Sequence, residues 1–143
     1  MTLGDLISYI KTNRNKGRGE AFGWSDDELI AYIHWADTFN YLFVASDENG
    51  FTGVAIMYPV ARPAEGEHAE LMNFKAIVPV SEESTSDLCI MDFINTTFEG
   101  KKDLAKQLMD RYPNWDNQQK WALRNGVIKK LPNKYINLNL SII

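Results

Sequence analysis

One acidic residue stands inside an otherwise apolar stretch of this chain, and it is the first residue that could do chemistry. Asp92 lies within Leu88-Cys89-Ile90-Met91-Asp92-Phe93-Ile94. Such a carboxylate must be paired, protonated or functional, because removing a charge from water is costly. A general base is one interpretation, since burial tunes a carboxyl toward the proton affinity that catalysis needs. A structural hydrogen-bond acceptor, or a residue at a sheet edge, is the other.

A short polar loop follows this stretch and leads into a predicted helix over residues 101–111. The loop reads Asn95-Thr96-Thr97-Phe98-Glu99-Gly100. Free backbone amides at a helix N-terminus favour an anion such as a pyrophosphate. Gly100 would let such a ligand approach the backbone closely. Lys101 and Lys102 could offset the charge of the glutamate before them, although two lysines in a first helical turn are also typical of solvated surface.

The remaining reactive side chains indicate structure rather than a metal site or a nucleophile. His34 and His68 are the only histidines, which excludes a multi-histidine metal site, and no metal is expected. Each is interpreted as a polar surface group. His68 stands among three glutamates that would favour its protonated form, so a proton shuttle is the alternative there. Cys89, the single cysteine, is predicted to be a buried structural thiol, and no intrachain disulfide can form.

Composition limits the classes of partner and location. The chain has 143 residues and a net charge of −4, which argues against a general binder of nucleic acid. A basic cluster over residues 11–19 is predicted to be a solvated loop, with a nucleic-acid or phosphate contact as the alternative. No window approaches the roughly 18 apolar residues of a membrane span, and the first residues do not resemble a signal peptide. The expected location is therefore the cytoplasm, or a particle that is assembled there.

Helical periodicity predicts two N-terminal helices within residues 1–38. The first ends at about Thr12. The second begins with a capping box, in which the Ser25 hydroxyl accepts from the backbone amide of Glu28 while that carboxylate reaches back. The four tryptophans are expected mainly in the core, although some could anchor a partner protein.

After residue 40 the apolar pattern changes from helical to strand-like. Residues 41–45 and 52–58 predict a β-hairpin around the turn-forming Asp47-Glu48-Asn49-Gly50. Pro59 and Pro63 are expected to end this hairpin, because proline donates no hydrogen bond to a sheet.

The second half of the chain predicts strands around the single helix already described. Residues 88–94 are typical of a central strand covered on both faces, because nearly all are apolar. Residues 71–78 fit either a strand or a short helix. Residues 119–124 are also ambiguous, and a strand is favoured because Asn125-Gly126 is a strong signal for a two-residue hairpin turn. Residues 134–143 alternate strictly enough to predict a final strand.

These elements predict a single α/β (α+β) domain with a mixed, mostly antiparallel sheet flanked by helices. Their order over residues 41–131 resembles the acyl-coenzyme A-dependent N-acyltransferase family called GNAT. Phe51-Thr52-Gly53-Val54-Ala55 looks like the second hairpin strand of that family, and residues 92–106 look like its cofactor-binding strand, loop and helix. Small GNAT-like proteins of tailed bacteriophages look similar too. The toxin-activating lysine acyltransferases, a divergent branch, are similar in Ile90-Met91-Asp92-Phe93-Ile94, Gly100 and Arg111-Tyr112-Pro113.

This resemblance implies transfer of an acyl group from acetyl-CoA, or from another acyl-CoA, to an amine. It assigns catalysis to Asp92, whose counterpart in the toxin-activating branch works with an N-terminal histidine, whereas no histidine precedes His34 here. It assigns cofactor binding to the strand, loop and helix, where only Gly100 matches the family's glycine pattern. The cofactor-binding residues are then Phe93, Ile94, Asn95, Phe98, Gly100, Lys101 and Lys102. Replacing Gly100 with valine is expected to block the phosphates and leave the fold largely intact.

The alternative is a protein that keeps this fold without catalysis. It would serve as an interaction or structural component, for example of a bacteriophage particle, and its partners would be other proteins of the assembly. The departure from the family's glycine pattern favours this alternative. Binding of CoA separates the two hypotheses, because only the enzyme requires it.

Overall fold

Five strands and four α-helices make up the part of the chain that this computed structural model describes, which is residues 2–13, 24–66, 79–81, 86–124 and 127–140. In chain order they are α1 (Leu3–Asn13), α2 (Asp26–Thr38), β1 (Leu42–Asp47), β2 (Gly50–Val60), β3 (Asp87–Asn95), α3 (Phe98–Arg111), β4 (Lys120–Arg124), β5 (Val127–Leu131) and α4 (Asn133–Asn139), with a 3₁₀ turn at Trp115–Asn117. The strands form one sheet in the order β1-β2-β3-β4-β5. Among these strands β3 and β4 are parallel, and the other neighbours are antiparallel. The predicted α+β class with a mixed, mostly antiparallel sheet is confirmed.

Helices cover both faces of the sheet. Side chains of α1 and α2 pack on one face, and those of α3 and α4 pack on the other. The central strand β3 has buried residues on both faces, as its apolar sequence predicts. Cys89 is fully buried, which confirms a thiol in the core. Trp115 and Trp121 are buried in the two cores, and Trp24 and Trp35 pack against the core on the side of α1 and α2.

The predicted start of α2 is confirmed in detail. The Glu28 amide donates to the Ser25 hydroxyl at 3.2 Å, and the Ser25 amide donates to Glu28 Oε1 at 2.9 Å. This reciprocal pair satisfies two amides that the first helical turn leaves free. The first predicted helix and the first hairpin also form, as α1, β1 and β2.

The expectation that Pro59 ends the first hairpin is wrong. Pro59 lies inside β2 and pairs with Leu88 of β3. Its carbonyl accepts from the Val80 amide at 2.9 Å, which shows that its backbone polar groups face away from β3. The missing amide hydrogen of proline therefore costs no bond between β2 and β3, and the strand continues to Val60. The predicted element over residues 71–78 lies outside the described residues.

The predicted final strand over residues 134–143 is also wrong. The chain forms α4 instead, and residues 141–143 lie outside the described part. Ile136 and Leu140, four residues apart, are buried, and the Leu140 amide donates to the Ile136 carbonyl at 2.9 Å. Leu138 lies between them with 62% of its surface exposed. Of the three alternating apolar residues, the two that are four positions apart face the core, as they would on one side of a helix, and the third faces solvent.

The favoured strand over residues 119–124 is confirmed as β4. It pairs antiparallel with β5, and Arg124 lies opposite Val127, so that two residues connect the strands. The hairpin predicted from Asn125-Gly126 is therefore present, although the turn residues themselves lie outside the described residues.

Candidate functional site

A bulge in β3 determines which way Asp92 faces. Ile56 of β2 pairs with Asp92 and the next residue, Met57, pairs with Ile90, so Met91 is an extra residue without a partner on β2. After such an insertion the alternation of side chains shifts by one. Met91 and Asp92 consequently both face α1 and α2, and Asp92 is not placed under α3.

Asp92 is buried on that face and is bound by a residue of α2. The Tyr32 hydroxyl donates to Asp92 Oδ2 at 2.6 Å. The exposed fraction of Asp92 is 9%, and Tyr32 is fully buried. Two of the predicted alternatives for this aspartate, a structural acceptor and a general base, are both compatible with the contact. The third, a residue at a sheet edge, is wrong, because β3 is the middle strand of the five.

The pairing of β3 with β4 ends close to this aspartate. Their pairing joins Leu88 to Lys120, Cys89 to Trp121 and Ile90 to Ala122, and the described residues form no further pair between the two strands. Yet β3 continues to Asn95. The pairing between β3 and β4 therefore ends before Asp92, while the side chains of Ala122 and Leu123 on β4 stay buried.

The N-terminus of α3 begins at the end of β3 and is capped by Thr97. The Gly100 amide donates to Thr97 Oγ1 at 2.9 Å. The helix starts at Phe98, so Gly100 lies in its first turn rather than in the preceding loop. The amides of Phe98 and Glu99 belong to the same turn, in which backbone donors have no partner within the helix.

Gly100 is packed against the sheet. A Cβ atom added there would lie 2.7 Å from the Thr52 carbonyl oxygen and 2.7 Å from its hydroxyl oxygen, closer than real side chains approach. Gly53 has a similar role, because a Cβ there would lie 2.7 Å from a methyl group of Leu104. The expectation that Gly100→Val would leave the fold largely intact is therefore corrected, since the glycine is what lets α3 contact β2.

The other predicted cofactor-binding residues divide between the two faces of the sheet and the start of α3. Ile94 is buried with the core of α1 and α2, whereas Phe93 packs against the core of α3. Asn95, Phe98 and Lys102 are exposed, and Lys101 is partly buried. The ammonium groups of Lys101 and Lys102 lie 5.8 and 5.7 Å from the centre of the Phe98 ring. An exposed aromatic ring and two cations thus stand together at the helix start.

Carboxylates line a cavity beside this helix start. A cavity of about 240 Å³ between the end of β1 and the start of α3 is lined by residues that include Asp47, Glu99 and Asp103. An anion near α3 would be repelled from this side and attracted to the side of Lys101 and Lys102.

A larger cleft, of about 680 Å³, lies between α1 and the turn from β1 to β2. Its lining includes Asp5, Glu48 and the rings of Tyr9 and Phe51. The Tyr9 hydroxyl lies 3.2 Å from the Thr96 hydroxyl, so the cleft adjoins the end of β3. Sequence patterns did not indicate this contact, because 87 residues separate its two members.

A second buried carboxylate lies at the other end of β3. Asp87 Oδ2 accepts from Arg62 Nε at 2.9 Å and from Trp121 Nε1 at 3.0 Å, and Asp87 Oδ1 accepts from the Gln119 amide at 3.3 Å. Burial acts to raise the pKa of Asp87, but these hydrogen bonds outweigh it and hold the pKa below its usual range. The network ties β3 to β4 where the two strands are still paired.

Lys120 is a fully buried lysine that the sequence did not indicate. Its ammonium group donates to the Trp115 carbonyl, and to the Gln118 carbonyl at 2.8 Å, and it lies 4.1 Å from the centre of the Trp115 ring. Burial lowers the pKa of Lys120 to about 8, against the opposing charges of Asp116 and Asp87. The described structure shows no opening to this amine, so its contacts fasten the 3₁₀ turn to β4.

The pKa of Lys120 predicts a rise in stability at alkaline pH. Between about pH 8 and 10 the unfolded chain keeps the proton that folded Lys120 has lost, so the free energy of unfolding should increase with pH. Above this window the buried hydroxyls of Tyr58 and Tyr112, whose pKa values burial raises, act in the opposite direction. Urea denaturation at several pH values measures the slope. Lys120→Met should flatten it and Lys129→Met, an exposed control, should not; parallel curves would contradict the assignment.

The histidines were predicted to be surface groups rather than metal ligands. His34 is exposed on α2, which agrees with a surface group, and His68 lies outside the described residues. Within the described ranges no group of three histidine, cysteine or carboxylate side chains could hold a metal ion. No helix among the described residues is long and apolar enough to cross a membrane.

This chain was compared with protein families, curated proteins and solved structures. No protein-family model, no curated protein and no solved structure matches this chain.

Proposed function

We propose that this protein transfers an acyl group from an acyl-CoA, with acetyl-CoA as the first donor to test, to an amine. The observation that carries the proposal is the end of the β3–β4 pairing beside the bulge at Met91. An extended pantetheine arm could lie along β3 beyond this point, with its amides bonded to the β3 backbone as an added strand would be. A thioester at its end would then lie close to Asp92.

The start of α3 supports a phosphate-bearing donor. Phe98 and Glu99 contribute amides of the first helical turn, and Lys101 and Lys102 add positive charge on one side. Phe98, which is 58% exposed, offers a ring face for a base. Gly100 contributes through packing, because its amide is already bonded to Thr97.

Acyl transfer needs few catalytic groups once donor and acceptor are aligned. The amine nitrogen attacks the thioester carbonyl, the carbon–sulfur bond breaks, and CoA leaves as a thiolate that takes up a proton. Asp92 accepts the proton that the nitrogen loses. The cleft between α1 and the β1–β2 turn, with carboxylates and two aromatic rings in its lining, would attract a cationic acceptor such as a lysine side chain. Asp92 is not part of that lining, so the amine would have to extend beyond the cleft to reach it.

Calorimetric titration with CoA and acetyl-CoA tests the proposal. We expect binding, and at a hundredfold excess over the dissociation constant the ligand should add about 2.7 kcal/mol to the free energy of unfolding. Replacing Lys101 and Lys102 together with alanine should weaken binding and reduce its salt dependence. The exposed pair Lys129 and Lys130 on β5, replaced in the same way, is the matched control. No binding at millimolar CoA would refute the enzyme hypothesis.

A second candidate is an assembly component without catalysis, for example in a bacteriophage particle. It is favoured by Tyr135 and Leu138, which expose 56% and 62% of their surfaces on α4. Neighbouring exposed apolar side chains are typical of protein contact surfaces. Absence of CoA binding together with self-association in sedimentation experiments would support this candidate.

A further inference from the structure

Tyr32 holds the side chain of the candidate catalytic residue. Its hydroxyl donates to Asp92 Oδ2 at 2.6 Å from a position 60 residues away in the sequence. A hydrogen bond to a carboxylate is stronger than one between neutral groups, because the acceptor carries charge. The contact therefore restricts the rotation of the carboxylate and links its direction to α2.

Tyr32 is itself fixed by the aromatic residues around it. Its ring is stacked on Trp35, with centroids 6.1 Å apart and planes 15° apart, and it meets Trp24 edge-on at 5.5 Å. A fully buried ring between two indoles cannot change rotamer without opening the core. The other described titratable groups in or against the same core are Tyr9, Tyr41, Tyr58 and Cys89.

We propose that Tyr32 is a positioning residue, whose hydroxyl holds Asp92 in the orientation that accepts a proton from the acceptor amine. This inference rests on the proposed acyl transfer. Tyr32 has no exposed surface, so it does not touch the substrate, and its proposed effect on acyl transfer passes through Asp92. His34, two positions further along α2, is exposed and lies on the other side of the helix.

The test compares Tyr32→Phe with a matched loss of a buried hydroxyl. Tyr112 is 1% exposed on the opposite face of the sheet, and its hydroxyl donates to the Met57 carbonyl at 3.2 Å. With acetyl-CoA and a lysine-containing peptide as substrates, Tyr32→Phe should lower kcat about tenfold or more and leave KM for acetyl-CoA unchanged. Tyr112→Phe should keep kcat. The ¹³C resonance of the Asp92 carboxyl should move in the first variant and stay in the second.

A double substitution separates positioning from a purely structural role. In an Asp92→Asn background, Tyr32→Phe should cause no further fall in kcat, because its effect passes through the carboxylate. An equal fall in both backgrounds, or an unmoved Asp92 resonance, overturns the inference. If acyl transfer occurs and Tyr32→Phe keeps the full kcat, the positioning role alone fails. If the unaltered protein neither binds CoA nor transfers an acyl group, the proposed function fails and the positioning role fails with it.

Discussion

Asp92→Asn is expected to lower the turnover number for acyl transfer by about 100-fold or more and to leave the affinity for acetyl-CoA unchanged. The amide has nearly the shape of the carboxylate, so the Tyr32 hydroxyl can still donate to its oxygen. It cannot accept a proton at neutral pH. Release of free CoA thiol measures the turnover, and calorimetry measures the affinity.

The control for this substitution is the other buried aspartate of β3. Asp87→Asn weakens the contact with Arg62 at the paired end of β3, five residues before Asp92. It should lower the free energy of unfolding, while the folded protein keeps its turnover. An Asp92→Asn variant with the turnover of the unaltered protein would instead show that Asp92 is only a structural acceptor.

Gly100→Val is expected to lower the free energy of unfolding by about 3 kcal/mol. The new Cβ would meet Thr52 at 2.7 Å, and the atoms in its way include a backbone carbonyl rather than the end of a flexible side chain. That carbonyl also accepts from the Thr96 amide at 2.9 Å. The helix must therefore move away from β2, or the connection between β3 and α3 must break. Urea denaturation followed by circular dichroism measures the loss.

Lys106→Val is the matched control, because Lys106 is exposed in the middle of α3. It introduces the same β-branched side chain into the same helix and should cost about 0.5 kcal/mol through helix propensity alone. If the two variants unfold at the same urea concentration, the contact between Gly100 and Thr52 is not what limits the approach of α3 to the sheet.

Local sequence was sufficient where one segment contains the whole signal. The capping box at Ser25 predicted the start of α2, and the apolar run around Asp92 predicted a central strand with one unusual carboxylate. It was insufficient where the cause lies elsewhere in the chain. The partner of Asp92 is Tyr32 on α2, and the direction of Asp92 depends on an insertion at Met91 that becomes visible only when β3 is aligned with β2.

The errors have the same origin. Pro59 is acceptable in β2 because its backbone faces away from β3, which depends on strand pairing and not on the residue type. The alternation around Leu138 is compatible with a strand, but Ile136 and Leu140 are the residues that pack in the core, and Leu138 stays exposed. Gly100 was interpreted as space for a ligand, whereas Thr52 occupies that space. In each case tertiary contacts overrode what the local sequence favoured.

The short pairing between β3 and β4 also has a consequence for cooperativity. Three residue pairs join the sheet across its middle, whereas the hairpin of β4 and β5 has five pairs of its own. Backbone amides in β1 and β2 can stay protected from hydrogen exchange while that hairpin detaches, since detachment breaks few ladder bonds to β3. It must also break the contacts of Asp87 and Lys120 and expose the buried side chains of Trp121 and Ile128. We therefore expect the β4–β5 hairpin to be the segment that unfolds first while the rest of the sheet stays folded. A ligand could then enter between β3 and β4 without unfolding of the whole protein.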